Sequence, residues 1–148
     1  LEPSDTKVNP MVLESIREAD IIIGGPGDLY TTILPVLIVR GVKEALEESN
    51  ASKIFVVNVT NKPFETKGYK VNDFIGAIKR HLGFFPFTKL IVNNNHNPLI
   101  PSKFKYRYVD SDFESSDSVQ AIKADIIDEK FPLYHDSKKL AKIVTKNI

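Results

Sequence analysis

The sequence predicts an α/β fold with a mostly parallel sheet between helices. Three observations predict it. The runs "ADIIIGG", "KIFVVNV" and "TKLIVNN" are short, apolar and β-branched, as strands buried on both faces are. Segments with helical spacing of apolar residues separate them. Strand and helix then alternate along the chain, the order that a parallel sheet with crossover helices requires.

Each element has a local reason. Pro10 to Ala19 reads as a helix, with Asn9 as N-cap and Pro10 at the first helical position; Met11, Val12 and Ile16 line one side. Asp20 to Gly24 reads as a strand buried on both faces. A single helix is expected from Leu34 to Ser49, capped by Thr31 or Thr32, with Gly41 inside it at a cost of about 1 kcal/mol relative to Ala. Lys53 to Val59 is the second strand, and Lys62 to Tyr69 is irregular. Val71 to Leu82 is a helix closed by Gly83. Thr88 to Asn94 is the third strand, and residues 103–117 carry no clear pattern. Val119 to Ile127 reads as a strand, and a terminal helix starts at Asp136 or Ser137.

A chain of 148 residues fits one domain, which buries roughly 70% of its unfolded surface. The net charge of +1 argues against a nucleic-acid partner. No apolar stretch reaches the ~20 residues of a membrane helix, and no signal-peptide pattern stands at the start. The chain has no cysteine, which excludes disulfides and thiolate metal sites and suits a cytoplasmic setting. His81, His96 and His135 are too far apart to form a metal-ligand motif. The first residue is Leu1, which predicts a processed chain or a piece of a longer one.

Ligands of parallel sheets sit at the carboxyl ends of the strands. Here those ends read "GPGDLYTT", "NVTNKPFET" and "NNNHNP", so three loops are expected to share one rim. Gly25 and Gly27 permit close backbone approach, Pro26 lies between them, and a helix N-terminus follows that favours an anion. Tyr30, Thr31 and Thr32 add a ring and hydroxyls. Asp28 repels phosphate unless a metal ion intervenes, or else accepts from sugar hydroxyls. Thr60 and Glu65 read more readily as turn formers than as catalysts, the asparagines as Asx turns, and His135-Asp136 as a helix cap rather than a catalytic pair.

At "GPGDLYTTILP" the chain resembles the family that joins 2-phospho-L-lactate transferase (CofD) to the bacterial gluconeogenesis factors. "VNVTNKPFETKGYKVNDFIGAI", "LIVNN", "YRYV" and "HDSKKLAKI" extend the likeness over most of the chain. It lies nearer the gluconeogenesis-factor branch. The resemblance implies a Rossmann-like three-layer fold holding a nucleotide-linked ligand. In the transferase branch that ligand is a GDP ester; in the other branch it is a UDP-sugar, with a link to carbon metabolism and cell shape.

By position, Gly25, Pro26, Gly27, Tyr30 and Thr31 fall on the family's glycine loop. Thr60, Glu65 and Thr66 fall on its threonine and "GET" loop, and Asn93 and Asn94 on its strand-end asparagines. Asp28 and Thr32 stand where the family has serines, Phe64 where it has the glycine of "GET". The family's opening strand and Gly-Gly-Gly-Thr-Gly-like loop have no counterpart here, so residues 1–148 are expected to be the C-terminal part of a larger domain. The resemblance favours a nucleotide-sugar-binding regulator, with room for a homo-oligomer. It also admits a transferase using Mg2+ on Asp28 or Glu65, or a remnant domain without a ligand.

Overall fold

The computed structural model describes residues 6–148, and the fold class is the predicted one. Strands β1 (Ile21–Gly24), β2 (Ser52–Val56), β4 (Lys89–Asn93) and β6 (Gln120–Ala124) form one sheet in the order β1-β2-β4-β6. Every pair in it is parallel, with Gly24 beside Phe55 and Val56 beside Ile91. A second ladder was not foreseen. Thr60–Asn61 (β3) pairs antiparallel with Arg107–Tyr108 (β5), setting Thr60 opposite Tyr108 and Asn61 opposite Arg107.

Helices cover both faces. On one face Phe55, Leu90 and Val92 pack with Leu34, Leu37, Leu46, Phe74 and Ile78. These come from α2 (Leu34–Leu37), α3 (Val42–Glu48) and α4 (Val71–Leu82). On the other face Ile54, Val56 and Ile91 meet Leu140, Ile143 and Val144 of α5 (Ser137–Lys146). Among the described residues, no helix is long and apolar enough to cross a membrane.

Several local expectations hold. The first helix, α1 (Pro10–Glu18), is capped by Asn9, whose side chain accepts from the Met11 amide. The α4 helix stops at Gly83, in the left-handed conformation at φ 89°. Asp136 caps α5 by accepting from the Lys138 and Lys139 amides.

Two expectations fail for stated reasons. The helix expected over Leu34 to Ser49 is broken, because Gly41 has φ 97° and cannot continue a right-handed helix. It serves instead as the N-cap of α3, its amide donating to Glu44 at 3.0 Å. The neighbours that crowd it are the side chains of Val8 and Leu13. The first strand is not buried on both faces. It ends the strand order, no described strand pairs with its free edge, and Ile23 is 49% exposed. The expected side of α1 does form, with Met11, Val12 and Ile16 lining one surface; Met11 and Val12 are exposed on it, and Ile16 packs on the core.

Gly41→Ala is expected to destabilise the fold by about 1–2 kcal/mol, the cost of forcing a β-carbon into the left-handed region. Urea unfolding measures it, and unchanged stability would deny that φ 97° matters.

Candidate functional site

The parallel pairing of β1 with β2 brings their C-terminal loops side by side. A cleft of about 300 Å³ opens there, lined by Pro26, Gly27 and Asp28 from the first loop and by Asn58, Thr60 and Lys62 from the second. Tyr106, just before β5, and Leu133 to His135, just before α5, close it.

The glycine loop takes a tight path. Gly25 has φ 82°, the Gly25–Pro26 peptide is cis, and a β-carbon on Gly25 would stand 2.8 Å from the Val56 carbonyl oxygen. The Gly27 amide donates to Asn58 Oδ1 at 3.2 Å, which ties the two loops together.

The helix that follows departs from expectation. It opens with a single π-helical turn, Leu29–Ile33, and its N-cap Asp28 makes no side-chain cap bond. Thr31 and Thr32 lie within that turn and do not cap it. Glu65 takes the capping role from 35 residues away. Its Oε1 accepts from the Tyr30 amide at 3.0 Å and the Thr31 amide at 3.1 Å. A carboxylate of the protein therefore sits where a phosphate was expected, satisfying the same free donors and the same dipole.

Asp28 is also engaged. Lys62 donates to its carboxylate, and that hydrogen bond raises the Lys62 pKa above its ordinary value. The lysine neutralises the charge that a Mg2+ ion would meet in the alternative transferase reading. Among the described residues, no group of three His, Asp or Glu side chains forms a metal site.

The remaining expected residues divide. Tyr30 turns toward α4, its hydroxyl 2.8 Å from that of Tyr69 and its ring edge-on to His81. Thr60 is buried on the cleft and donates to the Leu133 carbonyl at 3.3 Å. Thr66 is buried and accepts from the Lys62 amide, closing the turn. Asn93 serves its own loop, accepting from the Ile126 amide and donating to the Asn95 carbonyl. Neither Asn93 nor Asn94 lines the cleft. The asparagine run does form the expected Asx turns, with Asn95 accepting from the Asn97 amide.

Asn58, Lys62, Tyr106 and His135 were missed as site residues. The "YRYV" and "HDSKKLAKI" segments marked the neighbourhood of the last two. Nothing local showed which way their side chains turn. His135 Nε2 lies 3.2 Å from the Val57 carbonyl oxygen. A carbonyl only accepts, so Nε2 carries the proton. Burial lowers the His135 pKa, and the Val57 hydrogen bond opposes the shift only in part. The ring is neutral at pH 7.

Comparisons with known proteins agree on one relationship. The family model described as 2-phospho-L-lactate transferase CofD matches residues 1–132. A gluconeogenesis factor of Bacillus subtilis is 32% identical over 97% of this chain and 48% of its own length. A gluconeogenesis factor of Halalkalibacterium halodurans is 41% identical over 73% of this chain and 33% of its own length. The crystal structure of a Bacillus halodurans protein superposes with a TM-score of 0.85 at 32% identity, covering 97% of this chain and 49% of that one. The chain thus spans less than half the length of the relatives it matches.

Two outcomes follow from this geometry. Glu65→Ala is expected to cost about 1.5–3 kcal/mol, the worth of hydrogen bonds to a charged group, and to speed hydrogen exchange at the Tyr30 and Thr31 amides. Exchange rates equal to those of the parent would deny the cap. The lowered His135 pKa makes its share of stability fully present above the unfolded value of 6.5. That share is lost as pH falls toward the folded value, because the unfolded chain binds the proton more readily. NMR titration of the imidazole, with urea unfolding across the same pH range, checks the sign.

Proposed function

This chain belongs to the 2-phospho-L-lactate transferase CofD family, and on that premise we propose that it helps bind a nucleotide-linked sugar in a regulator of the gluconeogenesis-factor type. The observation that carries the reading is the cleft at the β1 and β2 ends, where backbone, cation and carboxylate meet in one recess.

A diphosphate entering this cleft would compete with Asp28 for the Lys62 ammonium, which remains charged. Asp28 would then accept from sugar or ribose hydroxyls. Asn58 and Thr60 offer further hydrogen bonds, and Tyr106 offers a ring. A setting in carbon metabolism is proposed from the gluconeogenesis-factor relatives; the UDP-sugar identity, a cytoplasmic location and the link to cell shape are proposed from the family resemblance alone. Binding without turnover is the favoured reading; His135, whose Nε2 donates to Val57, has no free proton to move.

Calorimetric titration with UDP-N-acetylglucosamine and with GDP, each with and without Mg2+, tests the proposal. UDP-N-acetylglucosamine is expected to bind without Mg2+ and unaltered. Lys62→Ala is expected to weaken it at least about tenfold, the scale of one charge-assisted hydrogen bond. Binding of GDP alone, and only with Mg2+, would favour a transferase acting on a GDP ester. Failure of both nucleotides to bind would leave a domain with a structural role.

A further inference from the structure

The cleft does not end at Lys62. Asp28, Lys62 and Tyr106 line it, and the same three residues line a neighbouring recess of about 610 Å³. The two cavities adjoin at those side chains. Beyond them the recess runs to Phe64, in the turn after β3, and to Phe104, in the segment before β5. One end of this combined surface is thus cationic, at Lys62, and the other is aromatic.

The aromatic end is unlike ordinary surface. Phe64 is 98% exposed and Phe104 is 41% exposed. Among the described residues, no aromatic ring packs on Phe64, Phe104 or Tyr106. Lys103 lies over Phe104, its Nζ 5.1 Å from the ring centroid. The Phe64 ring has nothing on it, so it gains nothing from burial in the folded chain.

The turn that carries Phe64 is nevertheless fixed on both sides. The Lys62 amide donates to Thr66 Oγ1, and the Thr66 amide donates back to the Lys62 carbonyl, each at 3.1 Å. Glu65, the next residue after Phe64, is held by the Tyr30 and Thr31 amides. The ring therefore stands at the tip of a pinned turn. A ligand stacking on it need not order the backbone first, which removes one cost of binding.

The occupant must suit both ends. Phe64 calls for a planar group with an apolar face, and Lys62 calls for an anion. A nucleobase joined through ribose to a diphosphate has the two in that order. We propose that this recess is the base subsite of the nucleotide-linked ligand, with the base stacked on Phe64 beside Phe104 and the diphosphate at Lys62. The proposal rests on the nucleotide reading given above and extends it to a second cavity. Every base has a π-face, so stacking on phenylalanine supplies affinity without choosing among bases.

The chain has no tryptophan, so Phe64→Trp places a single indole reporter at the proposed stacking position. The side chain is exposed, and its replacement leaves the core untouched. UDP-N-acetylglucosamine is expected to quench that fluorescence. Inorganic pyrophosphate, which has the charge without the base, is expected to leave it unchanged. In calorimetry Phe64→Ala is expected to weaken UDP-N-acetylglucosamine about tenfold, the scale of one base stacked on an aromatic side chain, and to leave pyrophosphate affinity as it was. Parent-strength nucleotide binding by Phe64→Ala, or no quenching in Phe64→Trp, would overturn the subsite and leave the nucleotide reading standing. No nucleotide binding by the parent chain would overturn both. Fluorescence that follows protein concentration and not nucleotide would assign the aromatic end to a second copy of the chain, and would also overturn the subsite.

Discussion

Parallel pairing of β1 on β2 is the constraint on which the arrangement depends. With Gly24 held beside Phe55, the chain must leave both strands at the same edge of the sheet. The glycine loop and the Asn58 to Glu65 segment then have no choice but to meet. Three contacts between them follow: the Gly27 amide on Asn58, the Asp28 carboxylate on Lys62, and the Tyr30 and Thr31 amides on Glu65. Together they hold the second loop against the first, and that loop begins with β3.

These contacts also decide what the rim can offer. Loops of this shape attract anions because amides and a helix dipole point outward together. Here the protein supplies its own anion in Glu65, so the cationic capacity of the region has moved to side chains. Lys62 carries it in the cleft, and Lys67, Lys105 and Arg107 carry it beyond the ladder. Asp28 belongs with Lys62, since each charge is compensated by the other.

Much of the fold was legible because its signals are local. The α4 helix is amphipathic, and a glycine stops it at Gly83; α5 has an aspartate where a cap is needed. The strands of the main sheet are continuous apolar runs. What escaped is what depends on pairing at a distance. A ladder of two residues per strand has no periodicity to detect, so β3 and β5 passed as irregular chain. Gly41 looked tolerable inside a helix because sequence does not reveal the sign of φ. His135 was read through its neighbour Asp136, which does cap α5; the imidazole direction is set by Val57, 78 residues away. The glycine loop was placed correctly, but its donors were counted as free because Glu65 lies far along the chain.

The short β3–β5 ladder carries one more implication. Strand side chains alternate, so a shift of a single residue would exchange the faces of Thr60 and Asn61. The hydroxyl would leave the cleft, and the amide would take its place. Which of the two residues lines the cleft is thus set by parity, and loop length becomes a determinant of chemistry as much as residue identity. Inserting or deleting one residue between Val56 and Thr60 would rewrite the lining of the cleft without substituting a single side chain in it.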